Sequence, residues 1–358
     1  MRFSLTRFFP TPNFFDIPSA GIDFSDSTMR FIKLAKKPNG IMPEEYAEKT
    51  IPEGCMKDGK IIDNQKFVTF LSDIKKKFNL KYVRVSIPES QIYSFTLSLD
   101  VVVSNDIRSA IEIVIEDNIP LKTIETIFDY HILSTTDDTI LVQVVAISEV
   151  VSRMYFEAFM SSGMVPVSFE LEGQAIARAV IKPNDNKSYM VVDFGANRTE
   201  ITILTKGSAI YTATLDFGGK NFTKTIAKEL NISEEEAIKI KKDQGLNLSS
   251  GDKTLFNAMS KDLNILTEEI NKRYIYWHEK KSQIENFDQI ETIYLCGGHS
   301  NLLGLDDYLK NSLKLNVVQV NPWINCLSFE DAIPGMSREM SMSYVTAIGL
   351  ALADYIYD

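Results

Sequence analysis

The feature that most constrains the fold of this chain is a hairpin motif that occurs twice. Residues 190–204, MVVDFGANRTEITIL, predict a buried strand that ends on Asp193, a tight turn at Gly195, and a second strand with alternating side chains. Residues 21–34, GIDFSDSTMRFIKL, repeat the pattern, and the alignment pairs Asp23 with Asp193. We therefore expect two halves of common architecture, each opening with an acidic hairpin.

Two such turns could share one ligand. Facing turns can offer backbone N–H groups and short hydroxyls to a polyphosphate, while two carboxylates hold a hydrated Mg²⁺ that neutralises it. A hairpin with an aspartate beside its turn is also an ordinary structural element, and for one motif alone that is the commoner interpretation. The repetition favours the shared site.

The composition is that of a soluble globular protein. The chain has 358 residues, enough for two domains with their own cores, and a net charge of −10, which argues against nucleic acid as a partner. Its three cysteines, Cys55, Cys296 and Cys326, lack the spacing of a zinc site, and a reducing compartment fits them. We find no apolar run of roughly 18 residues and no signal-peptide pattern, and therefore expect a cytoplasmic protein.

Periodicity and turn residues predict how the chain is divided. We expect an Arg- and Phe-rich tail over residues 1–16 and an inserted β-α-β-β-α subdomain over 89–165. The expected first lobe comprises 17–88 and 166–183 with a closing helix at 343–357. The expected second lobe comprises 187–230 and 288–342 with a helical subdomain at 231–287.

Two glycine pairs lie at predicted junctions between a strand and the helix that follows it. Gly218 and Gly219 precede one predicted helix, and Gly297 and Gly298 precede another, next to His299. Glycines at such a junction let backbone N–H groups approach an anion, and doubly wound sheets bind nucleotides there. A simple tight turn explains the first pair equally well. A single histidine in this position is more typical of a loop residue than of a catalytic one.

Taken together, these segments resemble the actin, Hsp70 and sugar-kinase superfamily. Residues 23–25 are similar to its first phosphate loop, 193–199 to its second and 295–300 to its adenosine loop, while 172–175 fall where its first connecting segment lies. The resemblance implies an α/β fold with two actin/Hsp70-like lobes, which are duplicated ribonuclease-H-like domains, and with the inserted subdomain.

Within the superfamily the chain most resembles the PilM family of type IV pilus assembly proteins, and next the FtsA family of cell-division proteins. The particular pointers are GKNFT at 219–223 and VNPW at 320–323. FtsA-type proteins usually end in a membrane-targeting helix after a linker, whereas this sequence stops at Asp358 after its last predicted helix. That difference favours the PilM family.

The resemblance implies ATP and Mg²⁺ as cofactors. The residues that it assigns to the nucleotide are Asp23, Ser25, Asp26, Ser27, Asp193, Gly195, Asn197, Gly219, Lys220, Gly297, Gly298 and His299. Of these, Asp23 and Asp193 would hold the metal through water. Glu172 is the candidate for orienting a hydrolytic water, but Gly173 follows it where the chaperones have proline. ATP binding is therefore better supported than hydrolysis, and slow hydrolysis stays open.

The resemblance also implies partners. It predicts docking of the short N-terminal peptide of a PilN-like inner-membrane protein in a groove beside the inserted subdomain, contact with other pilus assembly components, and a cytoplasmic position peripheral to the inner membrane. Two alternatives remain open. One is an FtsA-like filament-forming membrane scaffold, and the other is a small-molecule kinase of the superfamily, for which we find no clear catalytic base except Glu172.

Overall fold

A computed structural model of the chain describes residues 18–101, 106–246, 253–281 and 287–356. The predicted tail at residues 1–16 lies outside the described residues. In the described part, no helix is both long and apolar enough to cross a membrane.

Strands and helices alternate along most of the chain. The strands are β1 Ala20–Phe24, β2 Thr28–Lys37, β3 Gly40–Thr50, β4 Met56–Lys57, β5 Lys60–Ile61, β6 Tyr82–Ile87, β7 Ile92–Asp100, β8 Thr126–Thr135, β9 Thr139–Ser148, β10 Val165–Leu171, β11 Ser188–Phe194, β12 Thr199–Thr205, β13 Ser208–Leu215, β14 Thr292–Cys296 and β15 Asn316–Gln319. The helices are α1 Asn64–Phe78, α2 Ile107–Asn118, α3 Glu149–Ser162, α4 Glu172–Val180, α5 Gly219–Leu230, α6 Glu234–Gln244, α7 Thr254–Lys281, α8 Leu305–Leu313, α9 Arg338–Ser341 and α10 Val345–Leu352.

The two lobes are built on sheets of the same topology. The first sheet has the order β3-β2-β1-β6-β10 and the second the order β13-β12-β11-β14-β15. In each, the first three strands in that order are antiparallel and the next two pairings are parallel. The register repeats as well, because Asp23 faces Arg30 and Asp193 faces Glu200. The duplication expected from the hairpin motif is therefore a duplication of the whole sheet.

The hairpins owe their form to local sequence. Strand β12 is buried along its whole length, and β11 nearly so, which suits strands covered by helices on both faces. Both turns close with the same backbone bond: the N–H of Ser25 donates to the carbonyl of Thr28 at 2.7 Å, and that of Gly195 to the carbonyl of Arg198 at 3.0 Å. The aspartate is the penultimate residue of each first strand and is thereby placed near the rim of its sheet.

The inserted subdomain is a three-stranded sheet of order β7-β9-β8 with α2 on one face. The order β-α-β-β-α along the chain is the predicted one, but the last helix packs elsewhere. Tyr155 and Phe159 of α3 are fully buried in the core of the first lobe, together with Phe67 of α1. The apolar face of α3 completes the core of the first lobe. By its packing, the segment 89–165 therefore consists of two parts, and the boundary between them lies just before α3.

Two helices lie between the lobes. α4 and α10 pack on each other and share one core with β2 of the first lobe and with β11 and β12 of the second. Their contact is close because a Cβ at Gly349 would lie 1.7 Å from the carbonyl oxygen of Ala175. The small residues of α10 suit this close packing, and the helix is buried throughout.

Helices α6, α7 and α8 pack in the second lobe. Buried residues of α7, among them Met259 and Leu263, join one hydrophobic core with Val192 of β11. The apolar residues of α7 recur at three- and four-residue steps, so they form a single face that packs inward.

Candidate functional site

A cavity of about 330 Å³ lies between the two lobes. It is lined by both hairpin turns, the start of α4 and the loop after β14. Of the predicted site residues, those that line it are Asp23, Ser25, Asp26, Glu172, Asp193, Gly195, Asn197, Gly297, Gly298 and His299. Ser27, Gly219 and Lys220 do not line it, although the amide of Asn197 donates across the cleft to the hydroxyl of Ser27 at 3.4 Å.

The second turn presents its N–H groups to this cavity. The carbonyls of Gly195 and Ala196 accept hydrogen bonds from the N–H groups of Gly219 and Lys220, at 3.0 and 2.9 Å, and so point toward the start of α5. In a trans peptide the N–H lies opposite the carbonyl, so the N–H groups of Ala196 and Asn197 point away from α5, toward the cavity. No described residue accepts from either of them. The turn is thus arranged as an anion-binding nest.

Gly218 and Gly219 have a different role from the one expected. Their N–H groups, and that of Lys220, all have partners within the protein, so none is available to an anion. A Cβ at Gly218 would lie 2.6 Å from the carbonyl oxygen of Ala196, and one at Gly219 would overlap the ring of His299. The glycines let α5 dock directly behind the second turn, which they orient from outside the cavity.

The first turn is held internally. The hydroxyl of Ser25 accepts from the N–H of Thr28 at 3.0 Å, and the carboxylate of Asp26 accepts from the N–H groups of Asp58 and Gly59 at 2.9 and 2.8 Å. Both predicted nucleotide contacts line the cavity, but their polar side chains already serve to fix the turn and its neighbour. Their part in the site is to shape the first turn.

The carboxyl groups of Asp23 and Asp193 both line the cavity, and they repel each other when charged. Burial raises the pKa of Asp193 to about 7, with repulsion from Asp23 as the next cause, while Arg30 opposes the shift. Burial likewise raises the pKa of Asp23, against the lowering effects of Arg30 and of the Ser86 hydroxyl, which donates to Asp23 at 2.9 Å. One nearby arginine does not compensate two enclosed carboxylates, so a cation between them would be stabilising.

Three more carboxyl groups line the same cavity. Burial raises the pKa of Glu89 to about 7, and its Oε1 is buried with no hydrogen-bond partner among the described residues. Burial, followed by repulsion from neighbouring carboxylates, raises the pKa values of Glu172 and Glu200 well above the ordinary range. These two carboxyl groups share a hydrogen bond. The raised pKa of Glu172 favours the protonated form of its carboxyl group.

The loop after β14 closes the other side. Gly297 has φ +87° and lies so close to Asp193 that a Cβ there would be 2.3 Å from its carboxylate. The ring of His299 packs on Gly219 and meets Phe194 edge-on at 5.9 Å. Burial, and then the charge of Lys241, lowers the pKa of His299 to about 4, so the imidazole is neutral.

The donor set fits a hydrated cation better than a directly bound one. Within the described ranges, no three His, Cys, Asp or Glu side chains stand close enough to ligate one ion. Asp23 and Asp193 nevertheless share the cavity, and Mg²⁺ commonly keeps several waters and takes one or two carboxylates. The arrangement supports a metal held through water by this pair.

Sequence reasoning missed several residues of the site. Glu89, Glu200 and Arg198 line the cavity, and Lys241 lies beneath it, donating to the carbonyl of Gly219 at 2.8 Å. Glu200 stands one register position from the turn, and a charged residue in an otherwise uncharged, fully buried strand was a usable signal. Glu89 and Lys241 come from segments without a recognisable motif.

A second cavity, of about 810 Å³, lies beside the inserted subdomain. Its walls are the face of the inserted sheet opposite α2, strand β10, the C-terminal half of α4, and the turn between β12 and β13. The residues that line it include Gln143 and Val145 of the inserted sheet, Arg178 of α4 and Gly207 of the second lobe. Strand β10 is an edge strand, paired only with β6. We call this second cavity the groove.

Comparison with known proteins gives a family and a fold. The model of the family described as type IV pilus assembly protein PilM matches residues 21–355. A chain of the solved "PilM-PilN type IV pilus biogenesis complex" is 21% identical, with a TM-score of 0.76, over 95% of this chain and 99% of that one.

Two other solved structures share the fold at lower similarity. Ethanolamine utilization protein EutJ from Carboxydothermus hydrogenoformans is 18% identical over 94% of this chain and 91% of that one, with a TM-score of 0.52. MreB5 of Spiroplasma citri bound to ADP is 13% identical over 94% and 96%, also at 0.52. These similarities confirm the predicted actin/Hsp70-like two-lobed α/β fold.

Proposed function

Because the chain belongs to the PilM family of type IV pilus assembly proteins, we propose that it is a nucleotide-dependent interaction protein of pilus assembly. It binds Mg-ATP in the cavity between the lobes and captures the cytoplasmic peptide of a PilN-like inner-membrane protein in the groove. The pilus-assembly role follows the family, while the two ligands are assigned here to particular residues.

The observation that carries the nucleotide assignment is the convergence of two complementary features on one cavity. The N–H groups of Ala196 and Asn197 point into it from the second lobe, and the carboxyl groups of Asp23 and Asp193 enter it from both lobes. N–H groups suit phosphate oxygens, and carboxylates suit the hydrated metal that accompanies a polyphosphate. Gly298 and His299, at the other wall, are in place for the nucleoside.

Mg²⁺ would be held through water by Asp23 and Asp193. When bound it supplies positive charge to phosphate oxygens and to the two carboxylates. That charge lowers the pKa values of both groups back toward their ordinary range, so entry of the metal and nucleotide favours ionisation of Asp193, whose pKa is otherwise about 7. Binding therefore releases protons near neutral pH.

The geometry supports ATP binding more strongly than turnover. Glu172, the predicted water-orienting residue, lies at the start of α4 and shares a hydrogen bond with Glu200. A protonated carboxyl group does not accept a proton from water, so the raised pKa of Glu172 disfavours its action as a base in the absence of ligand. The proposed role is one of nucleotide-controlled conformation with at most slow hydrolysis.

The groove is the proposed peptide site. The similar solved complex pairs PilM with PilN, and in the present chain the groove offers an edge strand, β10, beside the uncovered face of the inserted sheet. Val165 and Val167 of β10 are apolar and exposed next to the residues of that strand that line the groove. An edge strand with apolar neighbours is suited to an extended peptide that adds a strand.

Nucleotide and peptide are coupled because both lobes line the groove. Arg178 and Phe169 belong to the first lobe, whereas Gly207 and Ala209 belong to the second. A rotation of the lobes that closes on the nucleotide therefore changes the width of the groove. ATP contributes to peptide binding only through its differential affinity for the closed state. Attachment to the inner membrane comes through the partner.

Isothermal titration of the peptide with and without Mg-ATP tests the whole proposal. We expect Mg-ATP to bind the purified protein and to change the peptide affinity, with the reciprocal effect of peptide on ATP. Absence of Mg-ATP binding refutes the nucleotide assignment, and equal peptide affinity in both conditions refutes the coupling. ATP-induced sedimentation without peptide would instead support a filament-forming scaffold, and ATP consumption dependent on a small acceptor would support a kinase.

A further inference from the structure

Arg198, in the second turn, connects the two lobes across the mouth of the cavity. Its Nη2 donates to Oδ1 of Asp58 at 2.7 Å and lies 3.7 Å from Oδ2 of Asp26, both residues of the first lobe. Its Nε donates to Asp216 of its own lobe at 3.1 Å. One guanidinium group is thus shared between carboxylates on both sides of the cleft.

Asp58 is a fixed anchor for this contact. It has φ +51°, and its N–H donates to Asp26 while its carbonyl accepts from the side chains of Ser90 and Gln91, at 2.8 and 2.7 Å. The next residue, Gly59, is held in the same way, since its carbonyl accepts from Tyr155 at 2.7 Å. The backbone of this β4–β5 turn is therefore immobilised, and its carboxylate stays at the cleft mouth.

Arg198 is also placed to meet a phosphate. It lines the cavity beside Ala196 and Asn197, whose N–H groups point into it. A guanidinium group binds phosphate oxygens in a bidentate manner and more strongly than it binds a solvated carboxylate. Asp58 and Asp216 are 63% and 88% exposed, so their ion pairs with Arg198 are weakened by solvent. A terminal phosphate in the cavity would compete for the arginine.

We propose that Arg198 exchanges partners, binding Asp58 in the nucleotide-free cleft and the terminal phosphate of a nucleoside triphosphate in the filled one. This inference rests on the proposed nucleotide site. In the empty cleft the Arg198–Asp58 pair closes the mouth and competes with the ligand. In the filled cleft the arginine binds the terminal phosphate, which a triphosphate has and a diphosphate lacks.

Titration of Mg-ATP and Mg-ADP into four variants tests the exchange. Arg198→Ala should weaken ATP binding by roughly 10- to 100-fold, the value of a charge-assisted contact, and should change ADP binding by less than about threefold. Asp58→Asn should strengthen ATP binding by about two- to fivefold, because it frees the arginine. The gain should vanish in the double variant. Arg198→Lys keeps the charge but loses the bidentate geometry of the guanidinium group, so its ATP affinity should lie between those of the wild type and Arg198→Ala.

Asp216→Asn is the matched control. It removes the same charge from the same arginine, but on the arginine's own side of the cleft, so it should raise ATP affinity less than Asp58→Asn does. Equal gains from the two variants, equal losses of ATP and ADP in Arg198→Ala, or weaker ATP binding in Asp58→Asn would each overturn the exchange. If the wild type binds neither nucleotide, the proposed function fails and this inference with it; wild-type binding with an unchanged ATP/ADP ratio in Arg198→Ala refutes this inference alone.

Discussion

Asp23 and Asp193 are the penultimate residues of equivalent strands in two equivalent sheets, and both side chains line one cavity. Each hairpin places its carboxyl group by the same register and the same turn bond, so the pair is a product of the duplication. The raised pKa values of both groups show that, without a ligand, their negative charges are poorly compensated. A ligand that brings positive charge into the cavity should therefore change both the protonation and the stability of the protein.

Replacement of Asp193 by Asn should weaken Mg-ATP binding by roughly tenfold or more, because the variant keeps the shape of the side chain but removes a carboxylate of the proposed hydrated-metal site. Calorimetric titration with ATP in the presence of EDTA is the control, and there the variant should bind at least as well as the wild type. Undiminished Mg-ATP binding by Asp193→Asn would contradict the metal assignment.

The metal-free protein should become less stable between pH 5.5 and pH 7.5. The folded-state pKa of Asp193, about 7, exceeds its ordinary value of 3.8, so up to about pH 7 the folded chain keeps a proton that the unfolded chain has already released at pH 5.5. Stability therefore falls as the pH rises to about 7 and then levels off, with a loss on the order of 1–2 kcal/mol from this group after allowance for its partial exposure to solvent in the cavity.

Thermal denaturation of Asp193→Asn in the same buffers isolates that contribution. Because Asn does not ionise, the variant should lose less stability than the wild type on going from pH 5.5 to pH 7.5. Part of the slope should persist, since Glu89 also titrates at about 7 in the folded chain. Identical pH dependence in the two proteins would show that Asp193 is not the group responsible.

Gly219→Ala should destabilise the protein by roughly 1–3 kcal/mol, the usual cost of overpacking, because the added Cβ would overlap the ring of His299. The double variant with His299→Ala removes the ring and should recover much of that loss. Denaturant unfolding of the two single variants and the double variant gives the interaction energy. Strictly additive effects would mean that the two residues do not meet as described.

Val145→Asp should weaken binding of a PilN-like peptide by about tenfold, because it places a charge on the face of the inserted sheet that lines the groove. Ile113→Asp is the matched control, since Ile113 is 81% exposed on α2 and does not line the groove. Fluorescence anisotropy with a labelled peptide distinguishes the two. Equal losses, or a loss only in Ile113→Asp, would place the peptide elsewhere.

The hairpins were predictable because their information is local. Alternating apolar residues, a turn residue at Gly195 and a repeated aspartate together determine strand, turn and register. The glycine loop after β14 was predictable for the same reason, as Gly297 needs a positive φ and a close approach to Asp193.

What could not be predicted depends on which surfaces meet. The periodicity of α3 shows that one face is buried, but it does not show that Phe159 packs in the first lobe instead of on the inserted sheet. A glycine pair at the start of α5 is equally compatible with an anion-binding site and with close packing of the helix. Only the hydrogen-bond partners of the N–H groups distinguish the two. Glu89, Glu172 and Glu200 are far apart in sequence, and their shared cavity arises from the tertiary fold.

The crossing of α4 and α10 has a mechanical consequence. The cavity between the lobes lies at the N-terminal ends of these helices, next to Glu172 and Ser343, whereas the groove lies at their C-terminal ends, next to Arg178 and Ala353. Gly349 rests on Ala175 between them, backbone against backbone. The contact can therefore serve as a pivot. A rotation about it that brings the lobes together at the cavity moves them apart at the groove.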